Sequence, residues 1–165
     1  MKKIILAGGC FWGVEAYFNQ LKGVLETSVG YIDGNKKNPT YKEVCDGRAT
    51  HAEAIEVIYD EKVITLEKVL EQFFRIIDPF SRNRQGHDVG RQYRTGIYYE
   101  NEDDKTKALN YMEAVFGKDL PRVATEVKKS LDYELAEEYH QDYLKKNPGG
   151  YCHIDMGLAK KEEVK

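Results

Sequence analysis

The stretch Lys3-Ile4-Ile5-Leu6-Ala7-Gly8-Gly9-Cys10-Phe11-Trp12-Gly13-Val14-Glu15 decides how the rest of the chain is read. Its first half is a short aliphatic and β-branched run, the pattern of a buried strand, and the two glycines permit a tight turn. Beyond the turn, Phe11, Val14, Phe18 and Leu21 recur at helical spacing, so an amphipathic helix is expected over residues 10–20 with the cysteine in its first turn. A strand that runs straight into a helix opens a β-α-β unit.

Outward from that unit the alternation continues. Residues 24–32 alternate loosely as a second strand, and residues 33–39 form a polar loop. Thr40-Tyr41-Lys42-Glu43 has the form of a capping box opening a short helix that Gly47 ends, and residues 52–59 alternate again as a third strand. Leu66, Val69, Leu70, Phe73, Phe74 and Ile77 give the clearest helical stripe in the chain, stopped by Pro79. Residues 80–93 read as a long, charged, glycine-bearing loop, and loops of that length are usually functional. The spacing then predicts a strand over 95–99, a helix over 103–116 closed by Gly117, and a strand over 123–128. A further helix is expected over 134–144, closed by Asn147-Pro148-Gly149-Gly150, and then a solvated tail at the C-terminus. Interleaving of this kind argues for a two- or three-layer domain of strands and helices with a mixed sheet.

Composition narrows the class of partner. A chain of 165 residues is one domain, with 41% apolar and 32% charged residues, as expected of a globular protein. Twenty-five basic residues against 28 acidic ones leave a net charge of −3, with no basic field to gather nucleic acid. No window reaches the roughly 18 apolar residues of a membrane span. The three cysteines, Cys10, Cys45 and Cys152, are too few and too far apart for a disulfide scaffold. The N-terminus imitates a lipoprotein signal ending at Cys10, but a secretory apolar region needs about 7–15 residues, so a cytoplasmic location is expected.

Two residues carry chemical promise on position alone. Cys10 lies where a strand ends and a helix begins, and there the free N–H groups and helix dipole favour a thiolate; the alternative is a small buried apolar residue. Glu53 shares a strand face with Ile55, Val57 and Tyr59, where desolvation would keep its carboxyl protonated; the alternative is a strand-end carboxylate that reaches water. Trp12 is one position off the helical stripe and need not be core. Cys152 follows Pro148-Gly149-Gly150-Tyr151 on a pliable segment, whereas Cys45, inside a short helix, reads as packing. Cys152-His153 adjacency does not suit a tetrahedral metal site, and no metal is expected.

The run Gly9-Cys10-Phe11-Trp12-Gly13-Val14-Glu15 resembles the active-site signature of the peptide methionine sulfoxide reductase A family. The similarity continues in order through Gly30-Tyr31, Asn38-Pro39-Thr40-Tyr41, Val44-Cys45, His51-Ala52-Glu53, Asp78-Pro79, Asn83-Arg84-Gln85-Gly86, Asp88, Gln92-Tyr93-Arg94, Glu138-Tyr139-His140-Gln141 and Gly150-Tyr151-Cys152. It implies an α+β, two-layer mixed-sheet domain over residues 1–158, with a ferredoxin-like βαβ core, extensive loops and a solvated tail over 159–165.

The resemblance also implies a function: reduction of the S epimer of methionine sulfoxide, free or in oxidised proteins, to methionine. Cys10 is then the nucleophile and Glu53 the acid, with Phe11 and Trp12 around the substrate methyl group. Tyr41 and Tyr93 would bind the sulfoxide oxygen with support from Asp88, and Tyr143 and Tyr151 would line the site. Cys152 matches the resolving cysteine, with Cys45 the other thiol that could serve. Thioredoxin or another dithiol would be the electron donor, with no bound cofactor; a monomer is expected, which the sequence does not itself establish. Thr50, His87 and Arg91 depart from the residues common in the family at the rim. Rival readings are a thiol peroxidase and a non-catalytic lipoprotein held through Cys10.

Overall fold

The computed structural model describes residues 1–165. Strand β1 (Lys2–Gly8) leads through the glycine turn into helix α1 (Phe11–Asn19), and β2 (Val24–Ile32) follows. Helix α2 (Tyr41–Asp46) opens with the expected capping box: Glu43 N–H donates to Thr40 Oγ1 at 3.1 Å, and Thr40 N–H donates back to Glu43 Oε1 at 3.0 Å. Strand β3 (Ala52–Tyr59) and helix α3 (Leu66–Ile76) complete the first half. After the short strands β4 (Arg84–Gln85) and β5 (Asp88–Val89) come β6 (Thr95–Tyr99), helix α4 (Glu102–Phe116) and β7 (Glu126–Lys129). Strand β8 (Glu134–Leu135) and helix α5 (Tyr143–Lys146) end the regular elements of length.

The main sheet runs in the order β7-β6-β1-β3-β2-β8. β3 lies antiparallel to both β1 and β2, and β6 antiparallel to β1, so the inner four strands with α1 and α3 form the expected ferredoxin-like core. β7 adds in parallel beside β6 after the α4 crossover, and β8 pairs antiparallel at the other edge. The helix-facing side of the sheet carries Ile4, Leu6, Val29, Tyr31, Ile55, Val57, Tyr59, Ile97 and Tyr99. These pack against Phe11, Val14, Phe18, Leu70 and Phe73 in one cluster of 28 buried residues. The opposite face is smaller, with Ile5, Ala7, Ile32, Ala52, Ala54 and Tyr98. Strand alternation puts Glu53 on the helix-facing side, as its period of two requires, opposite Tyr31 on β2.

Four segments differ from expectation. Residues 80–93 hold a small hairpin, β4 against β5, turning at Gly86 (φ +60°), and a 3-10 turn at Arg91–Tyr93. The buried Gln85 amide ties this hairpin down: it accepts from Asp78 N–H at 2.8 Å and donates to Asp78 O at 2.9 Å. The strand expected over 123–128 is shorter and shifted, at Glu126–Lys129.

The helix expected over 134–144 does not form. Its residues instead form β8, a 3-10 turn at Glu138–His140 and the single turn α5, which begins after Asp142 in a left-handed conformation (φ 52°). Tertiary hydrogen bonds win there. Glu137 is claimed by Tyr31 and Tyr41, Gln141 by Val29, and Asp142 N–H by Glu15.

The C-terminal residues expected to trail in solvent are tied back as well. Glu163 accepts from Arg75 at 2.6 Å, Lys165 N–H donates to Gln20 O at 2.9 Å, and Val164 bridges to Leu21. No helix is long and apolar enough to cross a membrane.

Candidate active site

Cys10 stands at the N-cap of α1, delivered by a turn that only glycine makes easily: Gly9 takes φ +92°, and a Cβ there would meet Gln85 Cβ at 2.9 Å and the His153 ring at 3.0 Å. The thiol is buried, and the N–H groups of Trp12 and Gly13 donate to its sulfur. These donors do not make it a resting thiolate. Burial pushes the Cys10 thiol well above its ordinary value, a charge on Glu53 pushes the same way, and the two N–H groups offset only part. The expectation of a thiolate from helix position is therefore corrected: desolvation of a buried anion outweighs two backbone dipoles, and the free protein holds a neutral thiol.

Glu53 meets the same helix start from the sheet. Its Oε1 accepts the Phe11 N–H at 3.1 Å, while Oε2 is buried with no hydrogen-bond partner in the protein. Burial raises its pKa to about 8, with the Phe11 N–H opposing and the charge of Asp88 adding. At neutral pH the carboxyl keeps its proton, as its place on an apolar strand face predicts.

Aromatic side chains enclose one flank. The Phe11 ring lies 5.8 Å from Tyr31 and 6.3 Å from Tyr41, centroid to centroid, and the half-buried Trp12 indole stacks on Tyr143 at 3.9 Å. The residue at their centre is His140, which the sequence offered only as part of a matching motif, without a role. Fully buried, it accepts the Trp12 Nε1–H on Nδ1 at 2.9 Å, which places its own proton on Nε2, and its ring lies 4.3 Å from Tyr41 and 5.1 Å from Phe11. Burial lowers the His140 pKa and so keeps the ring neutral, as an acceptor must be.

Two carboxylates hold this pocket from behind: Glu15, which the sequence offered only as the end of a matching run, without a role, and Glu137, which no local pattern announced. Glu137 accepts from Tyr31 Oη at 2.7 Å and from Tyr41 N–H at 2.8 Å; burial opposes its charge, but these hydrogen bonds outweigh it and hold its pKa low. Glu15, raised by burial, accepts from Thr27 Oγ1 at 2.9 Å and from Asp142 N–H at 2.8 Å, and so fixes the residue before Tyr143.

The small hairpin and the 3-10 turn bring Asp88 and Tyr93 to the other flank. The charge of Asp88 bears on Cys10, Glu53 and Tyr93 alike, and burial with the nearby Glu53 raises the Tyr93 and Tyr41 hydroxyls, keeping both as donors. Tyr151 Oη donates to Asp88 Oδ2 at 3.1 Å, and burial with this bond pushes the phenol up to about 12. Cys152 follows. A Cβ on Gly13 would stand 3.1 Å from its sulfur, and Gly13 is one helical turn beyond Cys10, so both sulfurs lie on one face at the start of α1. Cys45 is exposed on α2 beside Tyr41, so its reading as a packing residue is corrected. All three thiols are free, and no group of three or more His, Cys, Asp or Glu side chains converges to hold a metal ion.

The arrangement pairs a buried thiol with a buried carboxylic acid beside an aromatic hollow, with a second thiol within reach. A family model described as peptide methionine sulfoxide reductase matches residues 2–165. A peptide methionine sulfoxide reductase MsrA of Clostridium tetani is 53% identical over 156 residues, covering 94% of this chain and 95% of that protein. Among solved structures, Mxr1 of Saccharomyces cerevisiae in reduced form superposes with a TM-score of 0.84 at 38% identity, over 96% of this chain and 91% of the yeast one. The yeast protein in complex with Trx2 superposes with a TM-score of 0.60 at 29% identity, over 86% of this chain and 84% of the other.

Proposed function

The chain belongs to the peptide methionine sulfoxide reductase family and reduces methionine sulfoxide; we propose that its substrate is the S epimer, free or in proteins, and that Cys10, Glu53 and Cys152 carry out the reaction. The observation that carries this reading is the Glu53 carboxyl, protonated at neutral pH, with Oε2 unpartnered at the foot of the helix that bears Cys10. A sulfoxide oxygen leaves sulfur only as it gains a proton, and Glu53 holds one ready.

In this reading the substrate methyl group enters the hollow of Phe11 and Trp12, and the sulfoxide oxygen takes hydrogen bonds from Tyr41, Tyr93 and Glu53. The Cys10 sulfur attacks the sulfoxide sulfur as Glu53 gives its proton to the oxygen; the hydroxyl then passes to the Cys10 sulfur as the transient sulfur–sulfur bond and the substrate's S–O bond break, and the proton lost by the thiol recharges Glu53. The Trp12 and Gly13 N–H groups carry the sulfur's charge while it exists, which reconciles a neutral resting thiol with a nucleophilic one. Atoms and electrons balance: sulfoxide and thiol become methionine and a sulfenic acid on Cys10, the substrate sulfur gaining the two electrons that Cys10 loses. Cys152 then attacks the Cys10 sulfur, releasing water and forming a Cys10–Cys152 disulfide. Thioredoxin is the proposed reductant of that disulfide, its two thiols becoming its own disulfide; the complex of the yeast relative with Trx2 supports this. Asp88 and Tyr151, joined at the rim, and Tyr143 against Trp12 line the approach. A cytoplasmic location fits three unpaired thiols.

The test incubates reduced protein with each epimer of methionine sulfoxide separately and measures methionine formed and thiols lost. The S epimer should yield one methionine for two thiols consumed, and none should form in Cys10→Ser. Consumption of the R epimer at equal rate, or methionine formed by Cys10→Ser, would overturn the proposal.

A further inference from the structure

The mechanism needs Glu53 and Tyr93 to converge on one oxygen, yet they arrive on unconnected segments: Glu53 on β3 and Tyr93 at the end of the 3-10 turn that closes the hairpin loop. One side chain spans both. The Arg94 side chain, 16% exposed, donates from Nη1 to Thr50 O at 2.9 Å and to Arg91 O at 2.9 Å. From Nη2 it donates to Asp33 O at 2.8 Å and to Asp33 Oδ2 at 3.3 Å, and its Nε lies 3.5 Å from Glu126 Oε1.

These partners are not scattered. Thr50 is three residues before Glu53 at the start of β3. Arg91 opens the turn that Tyr93 ends, and Asp33 (φ 60°) follows directly on β2, the strand whose Tyr31 pairs with Glu53. We infer that Arg94 is a positioning residue: its guanidinium fixes the turn of Tyr93 against the start of β3, and so sets where the Tyr93 hydroxyl meets the oxygen that Glu53 protonates.

The inference rests on the roles proposed above for Glu53 and Tyr93. Its geometry depends on the planar fork of arginine, whose donors reach three backbone carbonyls in separate directions; a lysine ammonium presents its donors from one point and cannot span them. Three of the four hydrogen bonds go to backbone oxygens, so the clamp acts on main-chain positions whatever residue stands at Thr50. The same side chain lines a cleft of about 570 Å³ with Asp33, Glu126 and Lys128, which satisfy one another as ions around it.

The test is a double-mutant cycle on the single-turnover rate of methionine formation at saturating sulfoxide. Arg94→Lys and Arg94→Ala are each made in the unaltered protein and in Tyr93→Phe. If Arg94 acts through the Tyr93 hydroxyl, Arg94→Lys slows the unaltered protein by about tenfold but the Tyr93→Phe protein by less than about twofold. An equal loss in both backgrounds, or no loss in either, would overturn the inference. Should Arg94→Ala fail to fold, the lysine variant, checked for an unchanged melting temperature, carries the cycle alone. A Tyr93→Phe protein as fast as the original would sink the role given to Tyr93 and this inference with it. A slow Tyr93→Phe protein with additive losses would sink only the inference.

Discussion

Replacing Glu53 by glutamine should make the protein more stable at neutral pH while impairing it as an enzyme. In the fold the carboxyl ionises only near pH 8, whereas in the unfolded chain it ionises near its ordinary 4.5. Because the folded pKa is the higher, the stability this group contributes is complete below pH 4.5 and is lost as pH rises towards 8. From 4.5 to 7 there are two and a half pH units, each costing about 1.36 kcal/mol, so holding the proton costs the fold roughly 3.4 kcal/mol at pH 7.

Glutamine does not titrate and escapes that cost. Its amide oxygen can still accept the Phe11 N–H, but its NH₂ group brings two donors where the unpartnered hydroxyl brought one, and the additional unmade hydrogen bond costs about 1–3 kcal/mol. The variant should thus be the weaker protein at pH 4 and the stronger at pH 7. Urea unfolding at pH 4, 5.5, 7 and 8.5 measures it. The decisive quantity is the slope: the difference between variant and original should widen by about 1.4 kcal/mol per pH unit up to pH 8 and then level off. Parallel stability curves would show that Glu53 is ionised in the fold, and the proton-donor role would fall with them.

Three further outcomes follow from the same geometry. The single-turnover rate should decline as pH rises through about 8, when Glu53 loses its proton, and in Glu53→Gln a reduced rate, sustained by the amide as donor, should show no such decline. Cys152→Ser should release one methionine per protein and then stall with thioredoxin as the only reductant; steady turnover would instead assign resolution to Cys45 or to no thiol of this chain. Truncation of residues 160–165 removes the Arg75–Glu163 pair and the Lys165–Gln20 bond, and should lower stability by about 1–2 kcal/mol in a urea titration without changing the single-turnover rate.

Much of the scaffold was legible in order along the chain, because its signals are local. The capping box at Thr40 and Glu43, the stripe from Leu66 to Phe73 and the glycine turn before Cys10 each depend on residues within one or two turns of one another. The strand period also put Glu53 on the buried face before any contact was known, and from burial its retained proton follows. Local reasoning misled at residues 134–144, where helical spacing was overruled by hydrogen bonds from Glu137, Gln141 and Asp142 to strands and helices more than 90 residues away in sequence.

Residue order along the chain thus set most of the elements and the face on which Glu53 lies, because both follow from the spacing of near neighbours. Only the folded chain settles the ionisation of Cys10 and the side chains around it. A helix start favours a thiolate, but how deeply Cys10 is buried and how near Glu53 stands are sums over distant segments, and desolvation prevails. His140 under Trp12 and Arg94 between Thr50 and Arg91 belong to the same class: each acts across the fold, where no spacing along the chain can register it.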